Sequence, residues 1–331
     1  MKRPWLAPLT PLYAAAVALR GLRVEKGWEP VRRLRWPVVS IGNLSTGGAG
    51  KTPLTVALAT LLTGKGFHVD VLSRGYGRQS RVAAQVRADG TVAEFGDEPL
   101  LIAQQARVPV YVAPERYEAG LLAESDARPE GTAVHLLDDG FQHRQLARDV
   151  DILLLNRVDW QDSLLPAGNL REPLRAARRA TVIAIPADEP EMEPGLRVWG
   201  WQGPIWKLQR RMEVPVAVGP VSAFCGIARP EQFFTGLEGA GLRIVARTAF
   251  PDHHRYTTAD IEGFVATARK AGATTLMTTE KDLVRLGDLA AVFPDSLPLR
   301  TARLLVGIEG ESAALNWLAG RLSAAPARPP L

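Results

Sequence analysis

Residues 45–52 read STGGAGKT and follow an apolar run, WPVVSIG, that ends at Gly42. Glycines at 47, 48 and 50 free the backbone amides to turn inward on a phosphate chain. Lys51 then reaches the outer phosphates, and Thr52 offers a hydroxyl to magnesium. Such a loop functions only between a strand and the N-terminus of a helix, whose dipole adds to the anion site and whose first turn tolerates Pro53. The strict pattern puts glycine six residues before the lysine, and Ser45 stands there instead. The stretch is read as a nucleotide-binding loop made by Ser45, Thr46, Gly47, Gly48, Ala49, Gly50, Lys51 and Thr52.

The rest of the chain supplies the fold that this loop requires. WPVVSIG, HVDVLS, VPVYVA, AVHLLDD, VDILLLN and ATVIAIP are short apolar runs bounded by turn residues, and they alternate with helical stretches such as TPLTVALATLLTGKG and ERYEAGLLAESD. Strands that are apolar throughout and separated by helices belong to a mostly parallel sheet covered on both faces. The expected class is therefore α/β, a P-loop NTPase-like core over residues 37–190. The rhythm falters through DEPEMEPGLRVWGWQGP, so 191–220 is read as a linker or insertion. It resumes with VSAFCGIA, LRIVARTAF and TTLMTTEKD, a smaller second α/β lobe over 221–325. The single cysteine, Cys225, excludes an internal disulfide and offers no zinc-binding partner set, which fits a reducing compartment.

Charge is concentrated at the start. Residues 1–36 carry Lys2, Arg3, Arg20, Arg23, Lys26, Arg32, Arg33 and Arg35 against Glu25 and Glu29, while the whole chain is only +5. Between those charges, PWLAPLTPLYAAAVAL is uncharged but interrupted by Pro8 and Pro11, and it falls short of the roughly 20 apolar residues that span a bilayer. The prolines, and the lack of a clean small-residue cleavage site, also argue against a secretory signal. Two readings stay open. One is a helix packed on the protein's own core. The other is an amphipathic segment on an anionic membrane face, with Leu12, Ala16 and Leu19 apolar and Arg20 and Arg23 at the headgroups. The basic surplus lies with apolar residues and not on an aromatic-basic face, so nucleic acid is not an expected partner.

A phosphate loop needs an acid to hold magnesium, usually at the end of a neighbouring strand. AVHLLDDGFQHRQL delivers Asp138 and Asp139 to such a tip and turns at Gly140, with Gln142 and His143 just beyond. These features fit a partition-type ATPase or other mechanical switch, or a small-molecule kinase. The switch carries a second lysine just before the glycine pair, where this chain has Thr46. A kinase also brings an acid or base to an acceptor hydroxyl, and FGDEPLL at 95–101 and FPDHHRY at 250–256 are the stretches that could supply one.

Taken together and in order, GNLSTGGAGKTP, SRGYGR, GDEPLL, LLDDGFQH, LPAGNLREPL, FPDHHRY and TTEKD resemble the tetraacyldisaccharide 4'-kinase family, which acts in lipid A biosynthesis in Gram-negative bacteria. The likeness runs from the basic N-terminus to about residue 285. It implies a peripheral enzyme on the cytoplasmic face of the inner membrane, using ATP and Mg²⁺. The implied reaction transfers the γ-phosphate to the 4'-hydroxyl of an acylated glucosamine disaccharide 1-phosphate, with no obligate protein partner. The resemblance assigns Asp97 and His253 as the pair that takes the hydroxyl proton, Lys51 to the β- and γ-phosphates, and Thr52 with Asp138 to magnesium. Asp139 goes to the metal or the sugar, and Glu172 is a further metal-shell acid. Arg74, Arg116 and Arg171 are the cations for an anionic glycolipid, with Tyr76, Gln142, His143 and Asn169 as polar or stacking partners. Glu280, Lys281 and Asp282 of TTEKD are left without an assigned contact.

Overall fold

The computed structural model describes residues 3–48, 50–216 and 219–324. The strands in chain order are β1 (Val38–Asn43), β2 (His68–Ser73), β3 (Ala84–Gln85), β4 (Val110–Val112), β5 (Ala133–Asp138), β6 (Val150–Leu154), β7 (Val182–Pro186), β8 (Ile205–Glu213), β9 (Val221–Cys225), β10 (Ile244–Ala249), β11 (Thr275–Thr279) and β12 (Leu299–Ile308). The helices are α1 (Thr10–Glu25), α2 (Lys51–Gly64), α3 (Val92–Phe95), α4 (Asp97–Ala106), α5 (Arg116–Asp126), α6 (Arg157–Trp160), α7 (Met192–Val198), α8 (Pro230–Gly239), α9 (Thr258–Lys270), α10 (Glu280–Leu286) and α11 (Glu311–Ser323).

All twelve strands join one sheet, in the order β10-β9-β11-β12-β8-β7-β6-β1-β5-β2-β4-β3. Pairing is parallel except at β8 with β12 and β3 with β4, which agrees with the α/β class read from the sequence. β1, β5, β6 and β7 are buried at every position, because helices cover both faces of this part of the sheet. Leu54, Leu58 and Leu62 of α2 pack with Ile102 of α4 in one core, while Leu34, Leu72 and Ala119 belong to another.

Residues 191–220, expected as a linker or insertion, hold α7 and β8. Strand β8 has two partners in succession. Ile205–Leu208 runs parallel to β7, and Leu208–Glu213 runs antiparallel to β12. The Pro- and Gly-rich stretch before it breaks the periodicity without breaking the sheet.

A buried ionic cluster lies in the middle of this core. His135 of β5 is fully buried, with Nδ1 2.7 Å from Asp70 Oδ1 and Nε2 3.4 Å from Glu124 Oε1. The Trp36 ring stacks on it at 4.9 Å. Burial alone would depress this imidazole, but the Asp70 and Glu124 carboxylates override it and push its pKa up to about 9.

Helix α1 follows a short 3-10 turn over Pro4–Leu9 and carries no buried residue. Leu9, Leu12, Leu19 and Leu22 are exposed, as are Trp5 before it and Trp28 after it. It is tied to the body by the Tyr13 hydroxyl, which donates to the Arg171 carbonyl at 3.0 Å, and by Arg144 to Glu25 at 3.2 Å. Among the described residues no helix is long and apolar enough to cross a membrane.

Candidate active site

The C-terminal ends of β1 and β5 open into a cavity of about 1120 Å³. This is the crevice where open α/β sheets bind ligands. The phosphate loop is held as a hairpin against the segment after Gly168. Thr46 N donates to Asn169 O at 2.8 Å, Arg171 N donates to Leu44 O at 2.7 Å, and Ser45 bridges Leu170. Gly50 adopts a left-handed conformation (φ 89°) as the residue that caps α2, and Lys51 begins the helix. Ala49 lies outside the described residues.

Ser45, the departure from the strict loop pattern, is structural: its Oγ accepts from Asn43 Nδ2 at 3.1 Å and hydrogen-bonds Asp159. A serine at this position links the loop to β1 and to the α6 turn, contacts a glycine would lack.

Lys51 Nζ donates to Asn43 Oδ1 at 3.1 Å and stands 3.6 Å from Asp139 Oδ1. Arg171 grips the same Asp139 with two nitrogens, at 3.0 and 2.9 Å, and reaches Asn43 Oδ1 at 2.6 Å. Burial would raise the Asp139 pKa, yet Lys51 and Arg171 hold it down at about 2. Asp138 is the opposite case. It is buried beside Glu98 and Asp139 and is pushed up to about 7. Its Oδ1 accepts from Thr55, while Oδ2 has no hydrogen-bond partner. A buried carboxylate oxygen left unmatched on the cavity that the hydroxyl-bearing Thr52 also lines is a donor set suited to a hard divalent cation.

Asp97 and His253 meet although they are far apart in the chain. His253 Nδ1 lies 2.9 Å from Asp97 Oδ2. Gly96 delivers Asp97 by a turn with φ 88°, where a Cβ would come within 2.7 Å of the Tyr76 carbonyl oxygen. His253 itself has φ 61°, and Asp139 has φ 48°. Two non-glycine residues of the site are thus held in a costly conformation, as surroundings over-determine geometry at functional sites. His253 lines the cavity, whereas Asp97 is buried behind it and is not among the lining residues. The hydrogen bond to Asp97 raises the His253 pKa. Burial opposes ionisation of Asp97, but His253 and Arg285 override this and hold its pKa far below the usual carboxylate range.

Arg20, Arg74, Arg116 and Arg171 line the same cavity with Tyr76, Gln142 and His143. Burial, followed by the charges of Arg116 and Arg148, lowers the His143 pKa to about 3, so the ring is neutral and its Nε2 is unpartnered. Arg116 is itself depressed to about 10 by burial and by Arg74. The Gln142 amide donates to Asn43 O at 2.9 Å.

Two expected site residues lie elsewhere. The Glu172 carboxylate is engaged by Arg179 at 2.9 Å and does not line the cavity. The Asn169 side chain donates to Asp162 at 2.7 Å, leaving its backbone to hold the loop.

The model of the tetraacyldisaccharide-1-P 4'-kinase family matches residues 2–322. The chain is 44% identical to the tetraacyldisaccharide 4'-kinase of Koribacter versatilis, over 93% of this chain and 96% of that one. It is 37% identical to the Aquifex aeolicus tetraacyldisaccharide 4'-kinase, over 92% and 96%. A crystal structure of "apo" form LpxK from Aquifex aeolicus in complex with ATP superposes with a TM-score of 0.75 at 34% identity, covering 96% of this chain and 98% of that one.

The chain belongs to the tetraacyldisaccharide-1-P 4'-kinase family.

The kinase's cavity and its surroundings also hold residues to which the sequence assigned no contact there. Lys281 of α10 donates to Glu98 of α4 at 2.6 Å, and both line the cavity. Asn43, the last residue of β1, aligns both Lys51 and Arg171. Arg20 places the amphipathic helix itself at the cavity wall. Only the sequence neighbourhood of GNLSTGG and TTEKD pointed toward Asn43 and Lys281, and nothing pointed to Glu98 as the partner.

Proposed function

We propose that this kinase transfers the γ-phosphoryl group of ATP to the 4'-hydroxyl of a tetraacylated glucosamine disaccharide 1-phosphate, working on the cytoplasmic face of a membrane. The observation that carries this reading is His253, hydrogen-bonded to the buried Asp97, on the same cavity as Lys51. A switch that transfers phosphate to water needs no such pair beside a cavity lined by several arginines.

Lys51 and the loop amides hold the outer phosphates, and the Arg74–Arg116 side of the cavity receives the anionic sugar. Thr52 and Asp138 are the residues that would hold magnesium, which supplies neutralisation of charge developing on the transferred group. Asp97 keeps the proton of His253 on Nδ1, so Nε2 presents its lone pair to the cavity. The hydroxyl oxygen attacks Pγ, the bond from Pγ to the bridging oxygen breaks, ADP leaves, and the hydroxyl proton passes to Nε2. The acyl chains keep the acceptor in the bilayer. The exposed apolar residues of the N-terminal segment, with its surplus of Lys and Arg, support docking on an anionic surface.

The test is transfer of radiolabel from ATP to tetraacyldisaccharide 1-phosphate in detergent micelles, with wild type beside Lys51→Ala, Asp97→Ala and His253→Ala. A labelled bis-phosphorylated lipid that falls by about 10²–10⁴-fold in the Asp97 and His253 variants is expected, the range for loss of general-base catalysis. Hydrolysis of ATP by folded wild type without lipid labelling would overturn the reading.

A further inference from the structure

Thr279 caps α10 by accepting from Asp282 N at 3.1 Å, and its hydroxyl donates to Asp282 Oδ2 at 2.6 Å. Asp282 is completely buried, and its other oxygen accepts from Gly226 N at 3.1 Å and from the Tyr256 hydroxyl at 2.9 Å. Tyr256 closes the FPDHHRY loop, so α10 and the loop carrying His253 are fixed to one another through this carboxylate. One turn further on, Arg285 is 4% exposed. It bonds Asp282 Oδ1 at 3.2 Å and the Gly226 carbonyl, and on its other side its Nε donates to Asp97 Oδ2 at 2.8 Å while Nη2 stands 2.6 Å from the same oxygen as an ion pair.

The donors on Asp97 account for its chemistry. Oδ2 receives Arg285 Nε and His253 Nδ1 with the Arg285 Nη2 charge 2.6 Å away, while Oδ1 receives Glu98 N at 3.0 Å. A carboxylate with this much hydrogen bonding is a poor proton acceptor. Arg285 Nη2 also stands 3.3 Å from His253 Nδ1. Because Nδ1 gives its proton to the carboxylate, this neighbouring cation acts by charge and disfavours the imidazolium. The groups facing His253 are Asp97 from α4, Asp252 from its own loop, Arg285 from α10 and the Tyr76 ring at 5.5 Å, with Lys281 acting on Asp97 from one turn before Arg285. Asp97 and Asp252 favour the protonated ring, and Arg285 is the cation that opposes them.

We propose that Arg285 is the positioning residue of the Asp97–His253 pair: it holds Asp97 in place as a carboxylate and leaves His253 Nε2, unprotonated, as the atom that accepts the sugar's proton. This rests on the kinase reading above. Arg285 does not line the cavity; it acts through the pair.

The experiment is the pH dependence of kcat/KM for the lipid, from pH 5.5 to 9.5, for wild type, Arg285→Gln and Arg285→Lys, with His253→Ala alongside. In Arg285→Gln the acid limb moves to higher pH by about one unit, as expected for removal of a neighbouring like charge. Activity near pH 7 then falls about tenfold or more and partly recovers as pH rises, while KM for ATP is unchanged. Arg285→Lys keeps the charge but not the fork, so its acid limb stays near wild type while kcat drops. An equal loss at every pH in Arg285→Gln, with ATP binding intact, overturns the proposal. If that variant does not fold, an acid limb displaced upward in Arg285→Lys does the same. Wild type that labels no lipid, or His253→Ala that labels it normally, would instead mean that the kinase reading itself had failed.

Discussion

His135 offers a quantitative test of how the strand that ends at Asp138 is held. It sits three residues before Asp138 on β5, fully buried between Asp70 and Glu124, with its pKa at about 9. An unfolded histidine titrates near 6.5, so the difference of about 2.5 units corresponds to about 3 kcal/mol. Because the folded value is the higher one, this contribution is fully present below about pH 6.5 and is lost as pH rises through about 9. For a chain of this length the entropy of unfolding is about 0.7 kcal/mol per kelvin, so about 3 kcal/mol amounts to about 4 °C in the apparent Tm. Replacing His135 by Gln removes the cation and leaves two buried carboxylates. Differential scanning calorimetry of both proteins at pH 7 and pH 10 should show a gap of about 4 °C at pH 7 that shrinks sharply at pH 10, where wild-type His135 is also neutral. A gap that stays the same from pH 7 to pH 10 would refute the ionic account and leave only packing and the Trp36 stack.

The other perturbations bear on the site directly. Gly96→Ala puts a Cβ 2.7 Å from the Tyr76 carbonyl oxygen in a backbone conformation reserved for glycine, which costs about 1–3 kcal/mol. The strain falls on the residue before Asp97, so kcat should drop about tenfold or more while KM for ATP holds, as steady-state kinetics would report; an unchanged kcat would show that the turn does not set the Asp97 position. Replacing exposed Trp5, Leu9 and Leu12 together by Ser should cut co-sedimentation with anionic vesicles about tenfold and raise KM for lipid but not for ATP. Unaltered lipid kinetics would remove the anchor reading.

What the sequence disclosed and what it withheld divides by distance along the chain. The phosphate loop, the strand ending at Asp138 and the alternation of strands and helices are local patterns, readable from periodicity and turn residues, and all fall where expected. Asp97 and His253 come from segments 156 residues apart, and only the resemblance to a known family joined them. Lys281 and Arg285 went unassigned because their partners, Glu98 and Asp97, lie 183 and 188 residues away. No helical or strand periodicity encodes such a pairing. Asn169 and Glu172 were expected at the site, with Arg171, from the family resemblance carried by LPAGNLREPL. In the structure only the arginine reaches the cavity, while its neighbours stabilise the segment through Asp162 and Arg179. Strand β8 was hidden by the prolines and glycines before it.

That strand has a mechanical meaning. A flexible tether between two lobes would let the cleft swing open at almost no energetic cost. Here β8 is hydrogen-bonded to β7 along its first half and to β12 along its second, so the two sides of the cleft are halves of one twisted plate. Such a plate resists opening as a torsion spring does, by small distributed strain. Gaping wide would mean tearing backbone pairs. The Asp97–His253 contact joins α4 to the loop after β10, from either side of β8. Swinging one half of the plate against the other is therefore opposed by both sets of β8 backbone pairs at once.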